Sequence, residues 1–131
     1  MTARERYDAM IRDAVWPPLR ERGFKGTRNT VRRRHDASWE VVNFQASRAS
    51  FSDQVEFVVN LGVELVVLRG PARGDRPPHE YECQVSERLF ASGGGWWVAG
   101  SRTDFGRLGV DVVRALLEHG LPWLEARATP E

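Results

Sequence analysis

The sequence predicts a single α+β domain over residues 1–131, an antiparallel four- to five-stranded meander sheet with its helices packed on one face. Three observations carry that prediction. Apolar residues at helical spacing open the chain and recur near its end. Between them lie strand-like segments that alternate apolar and polar residues, the pattern of a sheet covered on one side. The strand-like segments follow one another with no helical pattern between them, so hairpin connections are favoured over parallel crossovers.

Thr2-Ala3-Arg4-Glu5 reads as a capping box. Tyr7, Met10, Ile11, Ala14 and Val15 then form one helical face. Pro17 and Pro18 lack a backbone N–H, so they should end or kink this helix. A short turn from Pro18 to Arg22 should follow, stop at Gly23, and let Phe24 tuck back into the core. Thr27 to Arg34 reads as an extended polar strand anchored by Val31. After a turn at Asp36-Ala37, Ser38 to Ala46 is β-branched and aromatic, and so a second strand. Residues 47–53 read as a loop. Beyond them Val55, Phe57, Val59, Leu61 and Val63 point one way, while Gln54, Glu56, Val58, Asn60, Gly62 and Glu64 point the other. Leu65 to Leu68 extends this strand, with a bulge expected at Gly62.

Arg69 to His79 is rich in Gly and Pro and reads as a mobile loop, not a domain boundary. Tyr81 to Leu89 alternates again. Gly93-Gly94-Gly95 should turn the chain into Trp96-Trp97-Val98. Asp104 can cap a last helix whose stripe includes Phe105, Leu108, Gly109, Val112, Val113, Leu116 and Leu117. Gly120 should end it, Leu121 to Leu124 should pack a short turn back, and Arg127 to Glu131 should fray.

Composition narrows the function classes. The chain holds 41% hydrophobic and 28% charged residues, which argues against wholesale disorder. No apolar run reaches the length of a membrane span, and Met1 to Arg12 has no apolar core of a signal peptide. A single cysteine, Cys83, leaves no internal disulfide framework, so a reduced, cytoplasmic protein is the expectation. Residues 1–50 carry eleven basic and six acidic side chains, whereas residues 51–131 carry eight and twelve. The densest basic run is Lys25, Arg28, Arg32, Arg33 and Arg34, which can attract an acidic partner or simply form a solvated strand face.

A series of short motifs runs in order along the chain. Gly23-Phe24-Lys25 follows the first helix, Val42-Asn43-Phe44-Gln45 lies in a strand, and Phe57-Val58-Val59-Asn60-Leu61-Gly62-Val63 lies in the next. Glu87-Arg88-Leu89, Trp96-Trp97 and Leu121-Pro122-Trp123-Leu124 follow. In that order they resemble an uncharacterised bacterial family, domain of unknown function 4304, over roughly residues 5–125. The resemblance implies a compact single domain and brings no catalytic residues with it.

Catalytic motifs are sparse. His79 and Cys83 have a spacing seen in metal-ligand pairs, but no second pair accompanies them, so no metal and no cofactor are expected. There is no Gly-x-Ser-x-Gly elbow. The triple glycine leads into a strand-like segment, not the helix that a phosphate loop needs. The net charge of +1 and the absence of a nucleic-acid motif disfavour nucleic acid as partner.

The informative residues are polar ones inside otherwise apolar strands. Asn43, Gln45, Asn60, Gln84 and Arg88, with Arg32, should share one sheet face flanked by Trp97, unless that face is simply wet or Asn43 and Asn60 pair with each other. The candidate ligand-binding residues are therefore Arg32, Arg34, Asn43, Gln45, Asn60, Arg88 and Trp97. The expected function is a non-catalytic binding module for a protein or polar ligand. An enzyme or small-molecule site in a pocket between sheet and helices is the alternative. An open sheet also admits a homodimer.

Overall fold

The two prolines expected to end or kink the first helix do not end it: they fall just after a π turn. The computed structural model describes residues 1–48, 50–51, 53–91 and 93–128. Helix α1 (Ala3–Met10) starts at the expected box: Glu5 N donates to Thr2 Oγ1 at 3.1 Å, and Thr2 N donates to Glu5 Oε1 at 3.1 Å. The chain then widens into a π turn (Ile11–Val15), where Trp16 N donates to the Ile11 carbonyl five residues back. Pro17 and Pro18 thereby fall in the first turn of α2 (Trp16–Glu21), where a missing N–H costs nothing. The same device recurs late in the chain. Helix α3 (Phe105–Ala115) is capped by Asp104, which accepts from Arg107 N at 3.1 Å. A second π turn (Leu116–Gly120) precedes α4 (Leu121–Ala128), which accommodates Pro122. Gly120 therefore does not end the helix. Ala128 is buried, and its carbonyl accepts from Ser38 Oγ at 2.7 Å. Residues 127 and 128 are helical and not frayed, and the remainder of the expected fraying, at 129–131, lies outside the described residues.

The sheet is wholly antiparallel. Its strands are β1 (Lys25–Thr27), β2 (Thr30–Arg34), β3 (Ser38–Ala46), β4 (Gln54–Leu65), β5 (Val85–Leu89) and β6 (Trp97–Gly100). The order is β1-β2-β3-β4-β5, with β6 also on β4. β4 is the central strand: β3 lines one side, while β5 pairs with its second half and β6 with its first. The domain is thus α+β, with six strands instead of four or five. The extra strand arises because the 27–34 segment is not one strand: Thr27 ends β1, residues 28–29 turn the chain, and only Thr30–Arg34 returns as β2. That turn holds Arg28 at φ 59°, and the Arg28 carbonyl accepts from Trp16 Nε1 at 3.1 Å.

Three strand expectations need correction. There is no bulge at Gly62, because β3 and β4 pair without interruption from Ser38↔Leu65 to Ala46↔Phe57. Gly62 is small because a Cβ there would lie 2.7 Å from Cys83 Sγ. Val66–Leu68 forms a 3-10 turn, not more strand, as Val66 N turns to the Ala37 carbonyl at 2.9 Å. Tyr81 also lies outside the strand: Glu80–Glu82 is a 3-10 turn, and β5 begins only at Val85.

The helices cover one face. Val31, Val42, Phe44, Val55, Phe57, Val59, Leu61 and Val63 meet Tyr7, Trp16, Leu19, Phe24, Val112 and Leu124 in one core. Phe57 is its centre, with ring centroids 4.9 Å from Tyr7, 5.5 Å from Trp97 and 6.1 Å from Phe44. Burying each large apolar side chain contributes about 1.5–3 kcal/mol. Among the described residues no helix is long and apolar enough to cross a membrane.

Candidate functional site

The opposite face of the sheet carries a row of polar side chains that the hairpin registers line up. Thr30 faces Asn43, Asn43 faces Asn60, and Asn60 faces Arg88, so four neighbouring strands each give one residue. Directly opposed side chains on one face are close enough to bond, and here they do. Asn43 Nδ2 donates to Thr30 Oγ1 at 2.8 Å. Asn60 Nδ2 donates to Asn43 Oδ1 at 3.0 Å and to Gln45 Oε1 at 2.9 Å. Arg88 Nε donates to Asn60 Oδ1 at 3.3 Å. Asn60 is only 4% exposed, and its carboxamide is bonded at both ends, as a buried polar group requires.

Gln45 and Arg88 differ from Asn60 in being exposed. Gln45 Nε2 and Arg88 Nη1 have no hydrogen-bond partner among the described residues. Beside them opens a shallow cavity of about 480 Å3, lined by Gln45, Asn60, Arg88, Glu80, Ser86 and Phe90 among others. Trp96 closes the arrangement, with the Arg88 guanidinium 5.5 Å from its ring centre. The site thus presents an amide donor, a guanidinium, the Glu80 and Glu87 carboxylates, the Ser86 hydroxyl and the Trp96 ring. That set can hydrogen-bond a small polar molecule.

Asn43, Gln45, Asn60 and Arg88 therefore come together, and Asn43 and Asn60 also pair with each other. The other candidates fall elsewhere. Trp97 does not flank this face: its pairing with Phe57 turns it to the helix side, where it is 7% exposed and stacked in the core. Its neighbour Trp96 has the expected place, as alternation along a strand requires. Arg32 lies on the polar face, but its Nε donates to the Pro78 carbonyl at 2.6 Å, and burial lowers its pKa. Arg34 donates to the Ser38 carbonyl at 3.1 Å and sits over Trp39. Gln84 precedes β5 and accepts from Leu65 N at 2.7 Å. Because the four network residues face away from the helices, a pocket between sheet and helices does not include them.

Residues 66–84 form a strap over the remainder of the polar face, fastened by residues outside the candidate set. Glu64 is fully buried and accepts from Arg69 Nε at 3.1 Å and from Arg69 Nη2. Arg73 Nη1 lies 2.7 Å from Glu64 Oε2, off the hydrogen-bonding line. Glu82 pairs with Arg73 at 3.2 Å and with Arg76 at 2.8 Å. The hydrogen bond from Arg76, then that from the His79 backbone, holds the Glu82 carboxyl down at about 2. On the side of the strap that meets Gly62, burial pushes the Cys83 thiol up to about 12. The chain does carry a signal for this fastening: one acid at the end of an apolar strand, followed by Arg69, Arg73 and Arg76. A second buried acid, Glu40, lies on the helix side. It accepts from Arg33 at 2.6 Å and lies 2.5 Å from His35 Nε2. The basic run at 25–34 is thereby dispersed over both faces. No group of three or more His, Cys, Asp or Glu among the described residues could hold a metal ion.

The family model of a domain of unknown function, DUF4304, matches residues 15–126. No curated protein and no solved structure matches the chain.

Proposed function

We propose that this chain, which belongs to the DUF4304 family, is a non-catalytic binding module whose polar sheet face takes a small polar ligand. One observation carries the reading. Asn43 and Asn60 are tied into a fixed network, while the two outermost members, Gln45 and Arg88, keep donors free beside a cavity. A preordered amide network costs little to organise when a ligand arrives. Cavities of this size suit small molecules better than flat protein surfaces. The free donors ask for acceptors on the ligand, a carbonyl or carboxylate, and Glu80 can meet a donor at its other end.

The reading extends to a cytoplasmic setting, supported by the single cysteine, Cys83, which leaves no internal disulfide. The competing partner is another protein, including a second copy pairing along the free edge of β1 or β5.

Native mass spectrometry of the chain taken from its own cells, beside the double variant Gln45→Ala/Arg88→Ala, tests this. A small-molecule adduct on the wild type that disappears in the variant is the expected result. An adduct retained by the variant, a protein or dimer adduct alone, or a bare monomer would overturn the assignment.

A further inference from the structure

A cavity of about 610 Å3 lies on the other side of the sheet from the polar row. It opens between α1, the first π turn and α2 on one side, and the β1–β2 turn with the end of β3 on the other. Its floor is apolar, formed by Tyr7, Ile11, Trp16 and Phe44. Its rim carries four arginines, Arg4, Arg12, Arg20 and Arg28, against one lining acid, Asp8.

The arrangement of that rim follows from helix winding. Arg4, Asp8, Arg12, Trp16 and Arg20 recur every four residues. In an unbroken α-helix each such step drifts by about 40°, which would put Arg4 and Arg20 about 160° apart. A π turn winds less per residue, so the turn at Ile11–Val15 takes back part of that drift. The stripe stays on one side, and all five residues line the same cavity. Arg28 comes to it from across the gap. Its backbone is held at φ 59°, in the left-handed region that a non-glycine residue enters only under strain. The Trp16 indole bonds the Arg28 carbonyl at 3.1 Å and so ties the turn to the helix.

The charges on the rim are unequally committed. Arg4 lies 3.6 Å from Asp8, and Arg12 lies 2.8 Å from Asp13. Arg20 and Arg28 have no side-chain partner among the described residues. Two free guanidiniums supported by two paired ones, over an apolar floor, suit a doubly charged anion with a flat apolar part. Guanidinium forks match phosphate oxygens two at a time. We propose that this cavity binds a small organic phosphate, with Arg20 and Arg28 as its direct contacts and Trp16 as its floor.

Phenyl phosphate is the probe, titrated into the 15N-labelled full chain at fixed ionic strength while the indole N–H of Trp16 is followed by NMR. The expected result is a saturable shift, with affinity falling at least about tenfold in Arg20→Gln and further in Arg20→Gln/Arg28→Gly. Glycine at position 28 accepts the positive φ, so the turn keeps its form. Arg102→Gln, at an exposed position that lines neither cavity described above, should bind phenyl phosphate as the wild type does. No saturable shift in the wild type, equal affinity in Arg20→Gln, or an equal response to inorganic sulfate would overturn the proposal.

Discussion

The two faces of the sheet solve the same problem in different ways. On the helix side, ten strand residues from Val31 to Ala99 join one continuous apolar core. Its stability comes from area removed from water and from close packing. The other side has no helix. There Val41 and Val58 are buried apart from that core, and the rest of the surface is held by hydrogen bonds and ion pairs. An apolar face tolerates small shifts of its partners. On the polar face Glu64 Oε2 and two Arg73 nitrogens stay buried without a hydrogen bond, within an ion-pair cluster, whereas the unmet donors of Gln45 and Arg88 stand at the surface. That difference is why the binding proposal rests on the second face.

The largest effect should come from the apolar side. Phe57→Ala removes the ring that touches Tyr7, Phe44 and Trp97, and should cost about 3–5 kcal/mol in denaturant unfolding. A cost near zero would mean that the two faces are less different than described. Next is Glu64→Gln, which leaves Arg69 and Arg73 without their buried counter-charge. A loss of about 3 kcal/mol is expected, with new proteolytic cleavage between residues 66 and 84. Unchanged cleavage would show that the strap is held by something other than this cluster.

Asn60→Ala should cost less, about 1–3 kcal/mol, because it breaks the middle of the polar row. Gln45→Ala, at the exposed end, should lie within about 0.5 kcal/mol of wild type. Equal losses for the two would contradict the division between structural and available amides. The smallest effects concern titration of the strap. The Glu82 carboxyl is lowered to about 2, so its ion pairs are complete above the ordinary carboxylate range and are lost as pH falls toward 2. Protease sensitivity of the strap should rise over that interval and not between pH 6 and 8. Cys83, raised to about 12, stays a thiol at pH 8 and should alkylate more slowly than free cysteine, with Glu64→Gln restoring the rate.

Much of this architecture is legible in the sequence. Period-two alternation in 54–64 names the two faces of β4 residue by residue, and the capping residues Thr2 and Asp104 mark two helix starts correctly. The polar residues of β3 and β4 are readable as one face because hairpin pairing puts alternate residues in register. Other features lie beyond local pattern. Proline rules forbid an α-helix through Pro17, but they do not exclude a π turn that moves the prolines to a first turn. Trp96 and Trp97 differ only by one position of register, which a flexible glycine turn leaves open. The pairing of Glu64 with Arg69 and Arg73 depends on the strap folding back over the sheet, a long-range event with no periodic signature.

Binding at the polar face requires that its row be an ordered network while the site is still empty. The side-chain carboxamide NMR signals of Asn43, Asn60 and Gln45 in the free protein report on that order. An ordered row gives dispersed, slowly exchanging protons on Asn60 Nδ2, and fast-exchanging protons on Gln45 Nε2. Three carboxamides at solvent-averaged positions with equal exchange rates would contradict it, and would make this face an ordinary wetted surface.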